Sequence, residues 1–339
     1  MKINSTNSIK NRGPLYFMVK LILFSVILFA LDSVIGGMLK HFYFRQESGF
    51  LYRTTYALDS TKAEILIFGS STANHHYRPV TFERRLNMSC YNTGRDGNTI
   101  FYNYAVLKSV LKRYTPKMAI LDFNDRDFMK DQDSYDRMAS LLPYYDNNPE
   151  LRSLIFLKSP FEKYKLISKI YPYNSLLFSI SAGNSNFNKS REVVIDEKGF
   201  VPLSKIWKRP LTTTSDPVKY ELDTIKINMF KSIIKDCINS KIKIYIFLSP
   251  KFIRFENRDQ SIMIAQNIAK KYDIPFFNYS NDSLFLYGKD LFFNPGHLNV
   301  EGAKIYTDMV IDKIIQNEKL SKSTNDSIIP MNMYLSITN

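Results

Sequence analysis

Apolar positions fall into two patterns along this chain, one long run near the start and an alternation of two periods after it. From Leu21 to Leu39 an apolar stretch is interrupted only at Ser25, Asp32 and Ser33. It is close to the roughly 20 residues that a membrane-spanning helix needs. A polar stretch over 46–62 follows. From there, short continuous apolar runs predict buried strands and apolar residues at helical spacing predict helices. AEILIFG reads as the first strand, with Pro79 opening a helix through VTFERRLN. SCYNTG is a short second strand, TIFYNYAVLKSVLKRY a helix with Tyr104, Leu107 and Leu111 on one face, and PKMAILDFND the third strand.

Between about 127 and 216 this rhythm breaks. Short helical patterns are punctuated by Pro143, Pro149, Pro160 and Pro172, and REVVIDEKGFVPL predicts a hairpin turning near Lys198 and Gly199. The segment is too patterned for a linker; it reads as an inserted cap over the sheet or a partner-binding element. The alternation resumes from Pro217. Val218, Leu222, Ile225, Met229, Ile233 and Cys237 mark one helix face, KIKIYIFLSP a strand, QSIMIAQNIAKKY a helix, IPFFNYS a strand and NVEGAKIYTDMVIDKIIQ a last helix capped by Asn299. Strands alternating with helices predict an α/β fold, a parallel sheet covered by helices on both faces. The expected organisation is a cytoplasmic tail over 1–14, a transmembrane anchor over 15–39, a connector over 40–62, the α/β domain over 63–317 and a loose tail over 318–339.

Charge sharpens the reading of the first run. Lys2, Lys10, Arg12 and Lys20 precede it without an acidic residue among them, which keeps the amino end in the cytoplasm and the main domain outside it. Lys40, Arg45 and Arg53 follow and weaken the asymmetry, while His41 to Phe44 suit an aromatic belt at the far interface. No clean A-x-A site marks a cleaved signal peptide. Asp32 within the span needs a partner or the interface.

The whole chain of 339 residues is 45 % hydrophobic and 23 % charged, ordinary globular values, with a net charge of +14. That excess favours anionic partners, but no zinc-finger spacing or RNA-binding signature supports nucleic acid. Aromatic residues reach 14 %, mostly Tyr and Phe, which suits carbohydrate or lipid contact but is first explained by codon bias. Cys90 and Cys237 have neither metal spacing nor a disulfide framework and read as buried thiols. No metal or cofactor is expected.

Candidate chemistry gathers where strands end, the edge at which parallel sheets bind ligands. Ser71 follows the first strand directly. It can be a nucleophile with backbone N–H donors beside it, or Ser70 or Ser71 can simply cap a helix. A serine nucleophile needs a base. Of the four histidines, His41 flanks the apolar run, and His75 and His76 follow Ser71 too closely for easy in-line approach. His297, on a loop before the last helix, is the best-placed base. Gly97 after the second strand and Asn124 after the third supply, with the Ser71 N–H, a plausible oxyanion hole. His75 and His76 either line the crevice and contact substrate, or lie at the surface or behind the crevice; as neighbours whose side chains diverge they do not make a metal pair.

With these blocks in order, the chain resembles the SGNH (GDSL-like) hydrolase superfamily. Gly69-Ser70-Ser71 is similar to its Gly-Asp-Ser block and Gly97 to its second-block glycine. Asp122-Phe123-Asn124-Asp125 matches the second half of Gly-x-Asn-Asp, and Asn294-Pro295-Gly296-His297 is similar to Asp-x-x-His. HLNVEGA is similar to the continuation common in membrane-anchored members. The resemblance covers roughly 63–126 and 216–316. It implies a three-layer flavodoxin-like α/β/α fold, Ser71 as nucleophile, His297 as base, and Ser71, Gly97 and Asn124 as oxyanion donors. It implies an anchored extracytoplasmic esterase or O-acyltransferase acting on acyl, foremost acetyl, esters of a cell-envelope polysaccharide. Two positions depart from the pattern: Asp122 replaces a glycine and Asn294 replaces the acid that orients His297. Asp-to-Asn in a serine triad can cost roughly 10⁴ in rate through the wrong imidazole tautomer, although asparagine orients the histidine of papain-like proteases. Asp290 or Asp125 are further candidates for that orienting role. The departures support an alternative, a weak or inactive SGNH-like protein that binds polysaccharide or a membrane-bound acyltransferase.

Overall fold

The runs predicted as the central strands are apolar because both of their faces are buried. In the computed structural model, which describes residues 12–185, 198–208, 220–252 and 259–326, the strands are β1 Ile65–Phe68, β2 Cys90–Asn92, β3 Met118–Phe123, β4 Lys243–Leu248 and β5 Phe276–Asn278. Every residue of β1, β2 and β3 is buried. The five strands pair in parallel in the order β2-β1-β3-β4-β5. The chain steps to one side of β1 for β2 and to the other for β3. That reversal opens a crevice beyond the carboxyl end of β1, where such sheets place ligands.

On one face, Ile65, Ile67, Met118, Ile120, Tyr245 and Phe247 pack with Ala73 and Phe82, from the helices α3 (Ser71–His76) and α4 (Pro79–Leu86), and with Tyr77 between them. Tyr306, Val310, Ile311 and Ile314 of the last helix close the same cluster. Alternate strand residues point to the other face. There Phe123 meets Phe230 of the helix Thr224–Asn239 with ring centroids 5.5 Å apart, and that helix packs on α5, Ile100–Arg113. The result is an α/β fold of three layers, as expected.

Two compact units divide the chain. One holds the residues up to Thr55 with the segment from Met138 into the insertion; the other holds the sheet, from Tyr56 to Arg137 and from Val193 onward. Several expected boundaries move. The long helix α1 runs from Arg12 to Phe44, beyond 15–39, and the connector is helical, with α2 at Gly49–Thr55 and a π turn at Tyr56–Ser60. Its 32-residue stretch from Gly13 to Phe44 is long and apolar enough to cross a membrane.

The expected belt at His41 to Phe44 is partly a packing site. Tyr43 is buried, and its hydroxyl lies 3.1 Å from that of Tyr144. The insertion groups with the N-terminal helices from Met138, not from 127. Residues before it are held to the sheet domain by buried Lys226, whose ammonium reaches Met129 O at 2.5 Å, Asp131 at 2.7 Å and Ser134 at 2.7 Å. Residues 191–197 of the expected hairpin lie outside the described residues. From Lys198 the chain passes β2, with Asn92 N–H donating to Lys198 O at 2.9 Å. The last helix, Val300–Asp326, continues past the expected start of the tail. Glu318 is fixed there by Lys243 and Tyr245. Cys90 and Cys237 are buried free thiols.

Candidate functional site

The turn after β1 separates the two readings of its serines. Ser70 occupies the N-cap position of α3 but makes no capping bond, and its hydroxyl is buried without a partner. Ser71 is the first residue of the helix, and its Oγ lies 2.7 Å from His297 Nε2. Neither serine acts as a side-chain cap. Gly69 makes the tight turn possible: a Cβ there would sit 2.6 Å from that of Ala73 and 3.0 Å from that of Asp122.

His297 is delivered by a hairpin outside the main sheet. β6 (Phe292–Asn294) and β7 (His297–Leu298) are antiparallel, with Asn294 paired to His297 across the turn. Asn294 Oδ1 accepts from Gly296 N–H at 2.9 Å and faces His297 Nδ1 at 2.9 Å. The Gly296 bond decides which end of the amide faces the ring, because only the carbonyl oxygen can accept. Nδ1 therefore carries the hydrogen and Nε2 turns its lone pair to Ser71. The feared wrong tautomer is not selected here. Neither Asp290 nor Asp125 takes the orienting role; Asp125 is paired with Lys251.

His76 is fully buried; its Nε2 accepts from Leu298 N–H at 2.9 Å and so braces the residue next to His297. Burial, then electrostatic repulsion from the imidazoles of His297 and His75, holds its pKa well below the usual value. His75 stays beside the site. Its ring bridges Val201 O at 2.7 Å and Asp96 at 3.1 Å, and stands edge-on to His297 with centroids 5.4 Å apart. Burial first, and the His75 charge second, lower His297 to about 4. A base so shifted is neutral at pH 7.

The two other expected donors lie at strand ends. Gly97 is exposed in a turn after β2 at φ +71°. Arg137 Nη1 reaches over it, 2.2 Å from where a Cβ would stand. Asn124 follows β3 with its N–H donated to Asp127 at 2.9 Å, and its Oδ1 accepts from Arg126 N–H at 3.1 Å. With the oxygen so engaged, the Asn124 amide nitrogen is the donor end.

Sequence reasoning met Asp122 only as a departure from a glycine pattern, and it missed Lys251. Asp122 is buried beneath the nucleophile turn and accepts from Thr72, from Tyr77 OH at 2.7 Å and from Ser249 Oγ at 2.5 Å. Burial outweighs those bonds and raises it to about 6. Lys251, just after β4, pairs with Asp125 and lies 3.4 Å from Asn124 Oδ1. Its signal was its place at a strand end, but no recognisable motif surrounds it.

No family model matches this chain, and no curated protein does. Among solved structures it is similar to the crystal structure of an acetyl xylan esterase, AlAXEase, at 11 % identity and a TM-score of 0.39, over 74 % of this chain and 98 % of that one. A likeness this slight carries no argument about mechanism or substrate.

Proposed function

We propose that this protein is a membrane-anchored extracytoplasmic serine esterase or O-acyltransferase acting on acyl, foremost acetyl, esters of a cell-envelope polysaccharide. The observation that carries the chemistry is the aligned relay Ser71 Oγ, His297 and Asn294, at 2.7 Å and 2.9 Å. His297 Nε2 takes the hydroxyl proton as Ser71 Oγ attacks the acyl carbon. The tetrahedral oxyanion is met by the N–H of Ser71, the N–H of Gly97 and the Asn124 amide. As the intermediate collapses, the C–O bond to the leaving alcohol breaks and His297 returns the proton to it. Water, or a sugar hydroxyl in transfer, then attacks acyl-Ser71 with His297 again as base. The long apolar helix and the basic residues ahead of it support an anchor with the main domain outside the cytoplasm.

A fluorophosphonate probe tests this reading directly. It should label the wild-type chain at Ser71, and Ser71→Ala should remove both the label and acyl-ester turnover. Full turnover by Ser71→Ala would refute the mechanism. Asn294 favours a second reading, a binder of polysaccharide or of a membrane-bound acyltransferase, since the partner of His297 Nδ1 is a neutral amide and not a carboxylate that would stabilise the imidazolium. Absence of labelling in a folded chain would support the binder.

A further inference from the structure

Asp32 of α1 is partnered by the insertion. Ser168 Oγ donates to it at 2.5 Å, Lys169 N–H at 2.7 Å and Ile170 N–H at 3.3 Å. One turn on, a Cβ at Gly36 would fall 2.4 Å from the Lys169 backbone carbon. Residues 168–170 therefore lie directly against the helix at the level of Asp32. From Gly13 to Leu31 the helix rises about 28 Å at ~1.5 Å per residue. That is close to the ~30 Å of a bilayer's hydrocarbon. Lys20 turns back over the Tyr16 ring, 4.4 Å from its centroid, as a lysine reaching for the near interface does. Past Asp32 an exposed apolar stripe continues through Val34, Ile35, Met38 and Phe42.

The segment just before Ser168 is inside out. Backbone bonds from Tyr164 N–H and Lys165 N–H to Phe161 O, and from Ile167 N–H to Tyr164 O, wind it helically. Phe161, Tyr164 and Ile167, three residues apart, are 64 %, 67 % and 63 % exposed. The inward side carries Leu166 and the fully buried Glu162, whose carboxylate accepts from Lys158 at 3.2 Å, Lys165 at 3.1 Å and Tyr171 OH at 2.7 Å. A helix facing water shows the reverse arrangement.

We propose that Phe161, Tyr164 and Ile167 form a lipid-facing platform. They enter the boundary between headgroups and acyl chains of the bilayer that α1 crosses, with the exposed Lys163 directed to lipid phosphates. This rests on the anchor reading given above. Two constraints fix the level. The carboxylate of Asp32 and the polar groups of Ser168 and Lys169 that meet it are costly at the hydrocarbon centre, and a contiguous apolar face is costly in water. The interface satisfies both, and aromatic and basic residues together are what it selects. The insertion then serves to hold the protein against the membrane.

The test uses the full chain in nanodiscs of phosphatidylethanolamine and phosphatidylglycerol. Phe161→Cys, Ile167→Cys and Ile27→Cys are each labelled with an environment-sensitive fluorophore; Cys90 and Cys237 are buried. Nitroxide placed high on the acyl chains should quench the labels at 161 and 167 about threefold, for side chains seated ~5–10 Å into the boundary. The label at 27 should also be quenched. Quenching at 27 with none at 161 and 167 overturns the platform and keeps the anchor. No quenching at 27 overturns the anchor reading, and the platform with it.

Discussion

Asp122 under the nucleophile turn and Asp32 in the long helix are both acids set among apolar side chains, yet their surroundings differ. Asp122 is enclosed by its own domain and satisfied by the hydroxyls of Thr72, Tyr77 and Ser249. Asp32 keeps apolar neighbours that face outward, and it is satisfied by one hydroxyl and two backbone N–H groups from a separate stretch of chain. The same inversion runs through the two units. In the sheet domain apolar side chains fill the centre and polar groups stand at the strand ends. In the helical unit Glu162 is inside and Phe161, Tyr164 and Ile167 are outside. A burial pattern records the medium outside as well as the core within. The sheet domain has the arrangement that suits water, and the helical unit has the one that the proposed membrane contact requires.

The sharpest test of the sheet edge as a chemical site is Ser71→Ala. It should lower acyl-ester turnover by about 10³-fold or more, measured on a small aryl acetate. Its thermal unfolding should stay near that of the wild type, because Ser71 Oγ bonds to His297 and caps nothing. An unchanged rate would leave the strand-end polar groups as turn chemistry alone.

Next in size is a core truncation that contrasts inward with outward. Leu121 on β3 is fully buried, so Leu121→Ala should destabilise the sheet domain by about 2–5 kcal/mol through lost burial and a residual cavity. Denaturant titration of the full chain in detergent reads it out. A cost near zero would mean that the sheet is not the packed centre of that unit.

Much of the sheet edge was legible beforehand because strand runs and strand ends follow local rules. AEILIFGSS, YNTGRDGNT, LDFND and NPGHLN each carry their own turn chemistry, and Ser71, Gly97, Asn124 and His297 were named as candidates from it. The parallel order then lined the strand ends along one edge. What stayed hidden depends on contacts distant in sequence. The bond from Leu298 N–H to His76 spans 222 positions, and that from Ser168 to Asp32 spans 136. No local pattern reveals them. Proline-punctuated turns over 143–172 likewise gave no period from which the inside-out segment could be read. Lys251 was passed over because one lysine after a strand looks like any solvated charge.

A smaller effect concerns the base. His297 stands at about 4, lowered by burial and by His75, and Asn294 offers no charge to raise it. Its neutral form therefore persists until pH falls through about 4, and the acid limb of kcat/KM should lie there instead of near 6.5. Asn294→Asp keeps an acceptor for Gly296 N–H and adds a negative charge at 2.9 Å from Nδ1. It should move the acid limb upward and raise kcat/KM at pH 7 by about tenfold, one decade per ~1.4 kcal/mol of imidazolium stabilisation. A limb that stays in place would mean that His297 is not the titrating base.

The smallest expected change carries the comparison into the helical unit. Ile167→Ser removes a large apolar side chain, and in the sheet interior such a swap would cost several kcal/mol. Ile167 is 63 % exposed and lies on the side of its turn opposite Glu162 and Leu166. No protein core surrounds it, so no cavity forms. In detergent, where folded and unfolded chains both find apolar surroundings for it, stability should move by less than about 0.5 kcal/mol. The same denaturant titration used for Leu121→Ala measures it, under one set of conditions. A loss of about 2 kcal/mol or more would show that Ile167 is packed by protein. The outward apolar face would then be an interior one, and the contrast between the two units would fail at the residue that defines it.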